Sequence, residues 1–303
     1  MNGIINVIKP PNMTSQDVVS YLRGLLGERR IGHGGTLDPG AAGVLPVFLG
    51  RATRLCDYSI QGDKEYLGEI SFGVSTDTQD SYGNPLEYGS KRVTHREVED
   101  AFCRFRGEIF QRAPMYSAVK VGGQKLYRIA YSGKEVETPL RRAVVYETQV
   151  LRRMVENRFL FRVRCGKGTY IRTLCQDVGQ AVGCPAHLSL LLRTRVGIFG
   201  LETGCTLDEL RRWKEENRLS EAIRPADAAV SHLPRLVLPG TCWGQVKNGA
   251  GVPASRLCGG DAAEEGALVR IYLEEHFAGL GYLTQGQVKI HKLIWEESHG
   301  SIQ

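Results

Sequence analysis

Between Ile31 and Leu55 the chain reads IGHGGTLDPGAAGVLPVFLGRATRL, and Asp38 is the only acid in that stretch. Gly32, Gly34, Gly35, Gly40 and Gly43 surround it, together with Pro39. Glycine admits positive φ and the close approach of another backbone, and proline fixes a turn. A lone carboxylate on such a loop is placed where something can reach it. His33 stands on the same loop and can donate a hydrogen bond within it or titrate near neutral pH. Taken by itself, Asp-Pro-Gly is also what an ordinary surface turn looks like. A phosphate-cradling loop is disfavoured, because neither a Gly-Lys-Ser/Thr ending nor a full G-x-G-x-x-G follows a strand.

A second constellation lies downstream. In RAPMYSAVKVGGQKLYRIAYSGKEVETPL (residues 112–140), Tyr116, Tyr127 and Tyr131 are interleaved with Lys120, Lys125, Arg128 and Lys134. That mixture suits stacking on bases and contacts to phosphates; a tyrosine-rich core hairpin is the competing reading. From Lys120 to Arg172 there are thirteen Lys/Arg against four Asp/Glu. This local surplus exceeds the net +6 of the whole chain, so the remainder is slightly acidic. A concentrated basic band is the electrostatic footprint of a nucleic-acid binder, though a solvated strand face gives the same count. Gly166-Lys167-Gly168-Thr169, between an alternating strand and a helix opening at Tyr170, adds a plausible anion site.

Regular elements must hold these residues. Ile4, Ile5, Val7 and Ile8 predict a short buried strand, stopped at Lys9-Pro10-Pro11. Thr14 or Ser15 caps a helix to about Leu26, closed by Gly27. Val44 to Leu49 reads as buried and ties the glycine loop to the core. Glu65 to Gly73 alternates, with Tyr66, Ile70 and Phe72 on one face. Thr76 to Pro85 is a polar, turn-rich loop. Capping boxes at Thr94/Glu97 and Thr206/Glu209 open two more helices. Val144–Leu151 and Arg158–Cys165 read as paired strands. Pro225 and Pro234 bracket a linker-like stretch, and from about Leu236 the chain turns to short strands and many glycines.

At 303 residues there is room for one large domain and a small one. The eight cysteines include no C-x-x-C pair, which argues against a zinc site and for small buried thiols in a reducing compartment. No metal site is expected. MNGIINVIKP lacks a signal-peptide layout and no run is long enough to cross a bilayer, so a cytoplasmic protein is expected.

Four separated motifs, in order, carry a resemblance. Lys9-Pro10-Pro11-Asn12-Met13-Thr14-Ser15, then GHGGTLDPGAAGVLPVFLGRATRL, then Pro114-Met115-Tyr116-Ser117-Ala118-Val119-Lys120 with Lys125-Leu126-Tyr127, and last Lys167-Gly168-Thr169-Tyr170-Ile171-Arg172 with the Gly183–Thr194 pattern, are similar to bacterial tRNA pseudouridine synthases of the TruB type. The family usually has Thr at Gly34 and bulkier residues at Gly40 and Ala42. The resemblance implies an α+β fold with a large, mostly antiparallel central sheet flanked by helices (1–232), an RNA-gripping insertion at about 112–140, and a PUA-like small β-barrel (233–303). It implies that uridine is isomerised to pseudouridine in the T-arm of tRNA, at the position conventionally numbered 55. The reaction breaks C1′–N1, turns the uracil and rejoins it through C5, consuming no water and needing no cofactor. It assigns Asp38 as the essential carboxylate, Arg172 as its cationic partner holding its pKa low, and Tyr66 as the ring under the uracil that could also handle the C5 proton. Whether Asp38 attacks C1′ or C6, or removes the C2′ proton, stays open. The remaining contacts to RNA would come from His33, Lys9, Lys120, Lys125, Tyr127, Arg128, Lys167 and Tyr170, and Leu190 would wall the pocket. Without the extended ends of guide-RNA-dependent relatives, the expectation is a stand-alone monomer with tRNA as partner. A non-catalytic tRNA-folding factor is the alternative, and a nucleotide-dependent transferase a more distant one.

Overall fold

The computed structural model describes residues 1–59, 62–134 and 136–295. Strand β1 (Gly3–Lys9) is buried along almost its whole length, as an Ile/Val-rich run inside a sheet must be. Helix α1 (Ser15–Leu26) opens on a reciprocal box: Thr14 Oγ1 accepts from the Asp17 N–H, and the Asp17 carboxylate accepts from the Thr14 N–H at 2.8 Å. Gly27, in the left-handed region, ends it. Strands β2 (Ile31–His33) and β3 (Ala42–Leu49) pair antiparallel and enclose the glycine loop between them.

After the short α2 (Cys56–Ser59) and β4 (Lys64–Phe72), strands β5 (Val74–Thr76) and β6 (Pro85–Tyr88) form a small separate hairpin. Helix α3 (His95–Arg104) leads to β7 (Gly107–Arg112). A minute hairpin, β8 (Lys120–Val121) and β9 (Gln124–Lys125), precedes α4 (Leu126–Tyr131). Then follow β10 (Leu140–Val155), β11 (Arg158–Cys165), α5 (Ile171–Val182), β12 (Ala186–Val196), β13 (Phe199–Gly200), α6 (Leu207–Glu215) and β14 (Ile223–Arg224). The capping boxes at Thr94 and Thr206 are both present.

These strands make one ten-stranded sheet in the order β14-β1-β3-β12-β4-β11-β10-β7, with β2 and β13 paired to β3 and β12 off that path. Within this sheet, among the described residues, only the β3–β12 strand pairing is parallel, so the sheet is mostly antiparallel, as expected. Helices α3 and α5 pack with β4, β10 and β11 around Phe102, Phe159, Phe161, Leu174 and Val178. The Phe102 and Phe161 rings lie 4.8 Å apart. Helices α1 and α6 cover β1 and β3 through Val18, Leu22 and Leu210.

The tail forms a second sheet from β15 (Arg235–Leu238), β16 (Val252–Pro253), β17 (Gly259–Gly260), β18 (Leu268–Leu273), β19 (His276–Thr284) and β20 (Gln287–Leu293), with α7 (Trp243–Lys247) beside it. Its order is β16-β20-β19-β18-β15-β17, a barrel-like ladder that is open among the described residues. The last residues of the expected tail domain, 296–303, lie outside the described residues, as does 135 of the insertion.

The stretch between Pro225 and Pro234 is not a free linker. It forms a 3₁₀ turn, Ala226–Val230, whose Val230 is fully buried beside Ile4, Phe48, Leu280 and Ile294. Tyr272 Oη donates to Asp227 from the second sheet, and Arg54 donates to the Leu293 carbonyl at 2.7 Å. The two sheets are therefore packed against each other. No helix among the described residues is long and apolar enough to cross a membrane.

Candidate active site

The loop 34–41 is held from three sides before any chemistry is considered. Gly43 sits at φ 111°, and a Cβ there would lie 2.2 Å from the Arg193 carbonyl oxygen; glycine lets β3 and β12 close at this point. Ser15, at the start of α1, exchanges hydrogen bonds with the Leu37 backbone, accepting at 2.9 Å and donating at 3.2 Å. Arg193, buried to 1 % exposure, donates to the carbonyls of Val44 (2.8 Å) and Gly35 (3.1 Å) and reaches Thr36 (3.4 Å). A buried guanidinium with several acceptors is a structural clamp; removing any acceptor would leave a costly unpaired donor.

Lys9 belongs to the same scaffold. The resemblance implies contact with RNA, but the side chain is fully buried and its ammonium donates to the carbonyls of Pro10, Met13 and Pro39. Burial lowers its pKa to about 8, with Asp38 opposing that shift and Arg193 adding to it. Lys9 ties the turn after β1 to the loop that carries Asp38, and the Asn12 N–H donates to the same Pro39 carbonyl at 2.8 Å.

Arg172 comes from the first turn of α5. Solvent is the ordinary destination for a helix arginine, yet Arg172 is 5 % exposed. Its Nε meets Asp38 Oδ2 at 3.0 Å and its Nη2 meets Oδ1 at 3.3 Å, a two-pronged pairing that fixes the direction of the carboxylate. The remaining donors go to the carbonyls of Thr78 (3.0 Å) and Tyr116 (2.9 Å). Asp80 Oδ2 stands 4.0 Å from Nη1 as a second carboxylate. The Asp38 side chain remains 40 % exposed toward the cavity.

A low pKa is the expectation for Asp38 beside an arginine; the structure reverses it. Desolvation by the surrounding protein pushes its carboxyl up from the ordinary value, Arg172 and Lys9 pull it back, and Asp80 adds to the rise. Arg172 fixes the direction of the carboxylate, while desolvation opposes its ionisation.

A cavity of about 900 Å³ opens above this pair. Of the residues expected at the site, His33, Asp38, Lys125, Tyr127, Arg172 and Leu190 line it. His33 is partly buried, its Nδ1 meets no hydrogen-bond partner among the described residues, and burial followed by the charge of Arg193 lowers its pKa, which favours the neutral imidazole. Leu190 follows a register shift in β12 between Leu188 and Leu190; the bulge re-aims the strand and leaves Leu190 half exposed at the cavity wall.

Other expected residues are placed elsewhere. Tyr66 is 7 % exposed and belongs to the core with Leu37 and Ile70 instead of lining the cavity, so the strand-core reading describes it in this state. Burial raises its hydroxyl to about 12, with Arg193 opposing, which keeps it a neutral phenol. Tyr170 packs on the small core of the insertion with Val119, Leu126 and Ile129, and its backbone is clamped by Gln111. It supports the insertion and does not line the cavity. Lys120, Arg128 and Lys167 are exposed outside the cavity.

The insertion is the connection between β7 and β10, which pair at Arg112↔Leu140. Tyr116, Tyr127 and Tyr131 meet edge-to-face there, with centroids 5.7 and 6.5 Å apart, and all three line the cavity. Lys125 Nζ lies 5.6 Å from the Tyr127 centroid. Sequence reasoning missed Asp80, Tyr82 and Arg193. Asp80 and Tyr82 sit in a polar loop with nothing to mark them, and Arg193 is one of two arginines on β12, inside the Gly183–Thr194 pattern but with no local sign of its burial.

The Asp–Arg pair under a cavity, the ten-stranded mixed sheet and the packed tail sheet together define a class: an acid-centred, two-sheet protein with a basic, aromatic hairpin at its site. Solved structures of this build include that of an H/ACA ribonucleoprotein bound to a substrate RNA containing 2′-deoxyuridine, with a TM-score of 0.77 and 29% identity, covering 98% of this chain and 86% of that one. A Cbf5–Nop10–Gar1 complex is similar, with a TM-score of 0.75 and 31% identity over 97% of this chain and 85% of that one. In sequence, residues 23–171 match the TruB family pseudouridylate synthase N-terminal domain, and residues 172–231 match the tRNA pseudouridylate synthase B C-terminal domain. The tRNA pseudouridine synthase B of Alkaliphilus oremlandii is 37% identical, covering 98% of this chain and 100% of the relative. That of Symbiobacterium thermophilum is 45% identical over 84% of each chain. The chain belongs to the TruB family of pseudouridylate synthases.

Proposed function

We propose that this protein converts uridine to pseudouridine in the T-arm of tRNA, at the position conventionally numbered 55, with Asp38 as the essential carboxylate and without a cofactor. The observation that carries the reading is the Asp38–Arg172 pair at 3.0 and 3.3 Å, open to a cavity overhung by three tyrosines. The target uridine leaves its stack and enters that cavity; unstacking costs on the order of a few kcal/mol, which aromatic contacts at the mouth offset. Arg172 aims one carboxylate oxygen pair at the sugar and base. His33 and Leu190 bound the space, and Lys125 and Arg128 hold phosphates of the same strand. Tyr66 forms the floor beneath the loop, and its raised pKa makes it a poor base for the C5 proton.

The match over the full length of a named tRNA pseudouridine synthase B supports tRNA as the substrate; the further reading is of a cytoplasmic monomer that needs no guide RNA. The tail sheet is read as a PUA-like module that adds affinity. The test is incubation with an unmodified tRNA transcript and mapping of pseudouridine. Asp38→Asn should abolish product while keeping tRNA binding within about threefold, since it removes charge and not surface. Product from that variant at the wild-type rate, or binding by the wild type with no product, would overturn the reading; the second outcome would leave a tRNA-folding factor.

A further inference from the structure

Tyr82 lines the same cavity and has no part in the pairing described above. It stands at the tip of the loop between β5 and β6, 68 % exposed, yet its ring is fixed on two sides. One side lies on Gly40: a Cβ at that position would fall 2.1 Å from Tyr82 Cε2 and 2.6 Å from Cζ. Gly40 is not in the positive-φ region, so the tyrosine ring, and not backbone strain, is what a side chain there would meet. Its hydroxyl donates to Asn12 Oδ1 at 3.3 Å, in the turn that Lys9 ties to Pro39. Its own N–H donates to Asp80 Oδ1 at 3.0 Å, the residue whose other oxygen faces Arg172. The ring is thus seated on the catalytic loop two residues from Asp38, with its outer part open.

An aromatic held in place at a cavity mouth has already given up its rotational freedom, so a partner that stacks on it meets little further entropy cost. The charge of this rim selects the partner. The loop from Thr76 to Asn84 carries Asp77 and Asp80 and no Lys or Arg, so a phosphate would be repelled there. A nucleobase presents a neutral π-face to which an exposed tyrosine can bind. We propose that Tyr82 is a positioning residue that stacks on the base of a nucleotide flanking the one that enters the cavity, and that Gly40 is small so that the ring can occupy this place. The proposal rests on the reading of the substrate as RNA.

The experiment measures tRNA-transcript binding and pseudouridine kinetics for the full chain and for Tyr82→Ala, Tyr82→Phe, Gly40→Ala and the double variant. Loss of one stacked base predicts that Tyr82→Ala raises both Kd and KM about 5- to 100-fold, with kcat within about twofold. Tyr82→Phe retains the ring and should stay within about twofold of wild type. Gly40→Ala, which displaces the ring, should weaken binding in the wild-type background but by less than about twofold in the Tyr82→Ala background. The slope of log Kd against log salt should not change, because the tyrosine holds no phosphate. A Tyr82→Ala variant that binds as wild type, a reduced salt slope, or a Gly40→Ala effect independent of Tyr82 would each overturn the proposal. If the wild type binds tRNA but makes no pseudouridine, the catalytic reading fails and the Kd comparison alone decides whether a base stacks on Tyr82. A wild type that binds no tRNA sinks both.

Discussion

Arg172 and Asp80 act on Asp38 in opposite senses, and that opposition is measurable. If the reaction needs Asp38 ionised, activity falls as pH drops through its pKa. That pKa is raised by burial, so the acid limb of kcat/KM should lie above the roughly 3.9 of a free aspartate. Arg172→Gln removes a charge that favours the carboxylate and should move the limb up while lowering kcat. Asp80→Asn removes a charge that opposes it and should move the limb down. Limbs that move in the same direction in both variants would rule out this electrostatic account.

Lys9 gives the second prediction at this scale. Its pKa is depressed from 10.5 to about 8 in the folded chain, so between those values the unfolded chain holds the extra proton. Stability attributable to Lys9 should therefore rise with pH across that window and fall away as pH drops through about 8; the Lys9→Met variant should lack this slope in urea titrations. The variant also orphans the carbonyls of Pro10 and Met13, at about 1–3 kcal/mol for each that finds no water, while Pro39 keeps the Asn12 N–H. Its tRNA binding should keep the wild-type salt slope, because the buried ammonium touches no phosphate.

At the scale of elements, the insertion between β7 and β10 has its own small core of Ala113, Val119, Leu126 and Ile129, and touches Arg172 through the Tyr116 carbonyl. Its charged side chains among the described residues are exposed or line the cavity. Replacing Lys125 or Arg128 by alanine should weaken tRNA binding and reduce the salt slope by about one for each phosphate no longer neutralised, with the fold intact by circular dichroism. An unchanged slope would remove the insertion from the phosphate-gripping surface.

Most of these elements are legible in the chain itself. The Thr14, Thr94 and Thr206 boxes, the Gly27 stop and the β10–β11 pair follow from local hydrogen bonding and side-chain period, which act over a few residues. The fate of Pro225–Pro234 is not legible there. Proline and alanine suggest a linker, while Val230 and Asp227 find partners only after the tail has folded back.

For the whole molecule, the packing of tail on catalytic sheet is an energetic claim. Leu280 and Ile294 are buried with Ile4, Val44 and Phe48 in one cluster, so the sheets should unfold together. Tyr272→Phe removes the hydroxyl that donates to Asp227 and should lower stability by about 1 kcal/mol, a typical net value for one hydrogen bond. Denaturation followed by two probes should remain a single transition; two separated transitions in the wild type would contradict the shared core.

The sequence by itself determined the family, the lone acid of the glycine loop at position 38, the basic band and the starts of α1, α3, α5 and α6, because these are written in residue type and short spacing. Only the tertiary structure decided which charged side chains face the cavity and its rim and which serve the protein's own interior. Lys9 is expected at the RNA and is a buried clamp, as is Arg193, which nothing local singles out; Arg172 owes its place beside Asp38 to acceptors on distant loops, and Tyr170, also expected at the RNA, props the insertion. A side chain's charge is local, but the cost of burying it depends on acceptors contributed by strands and loops far along the chain, and those meet only when the sheet closes.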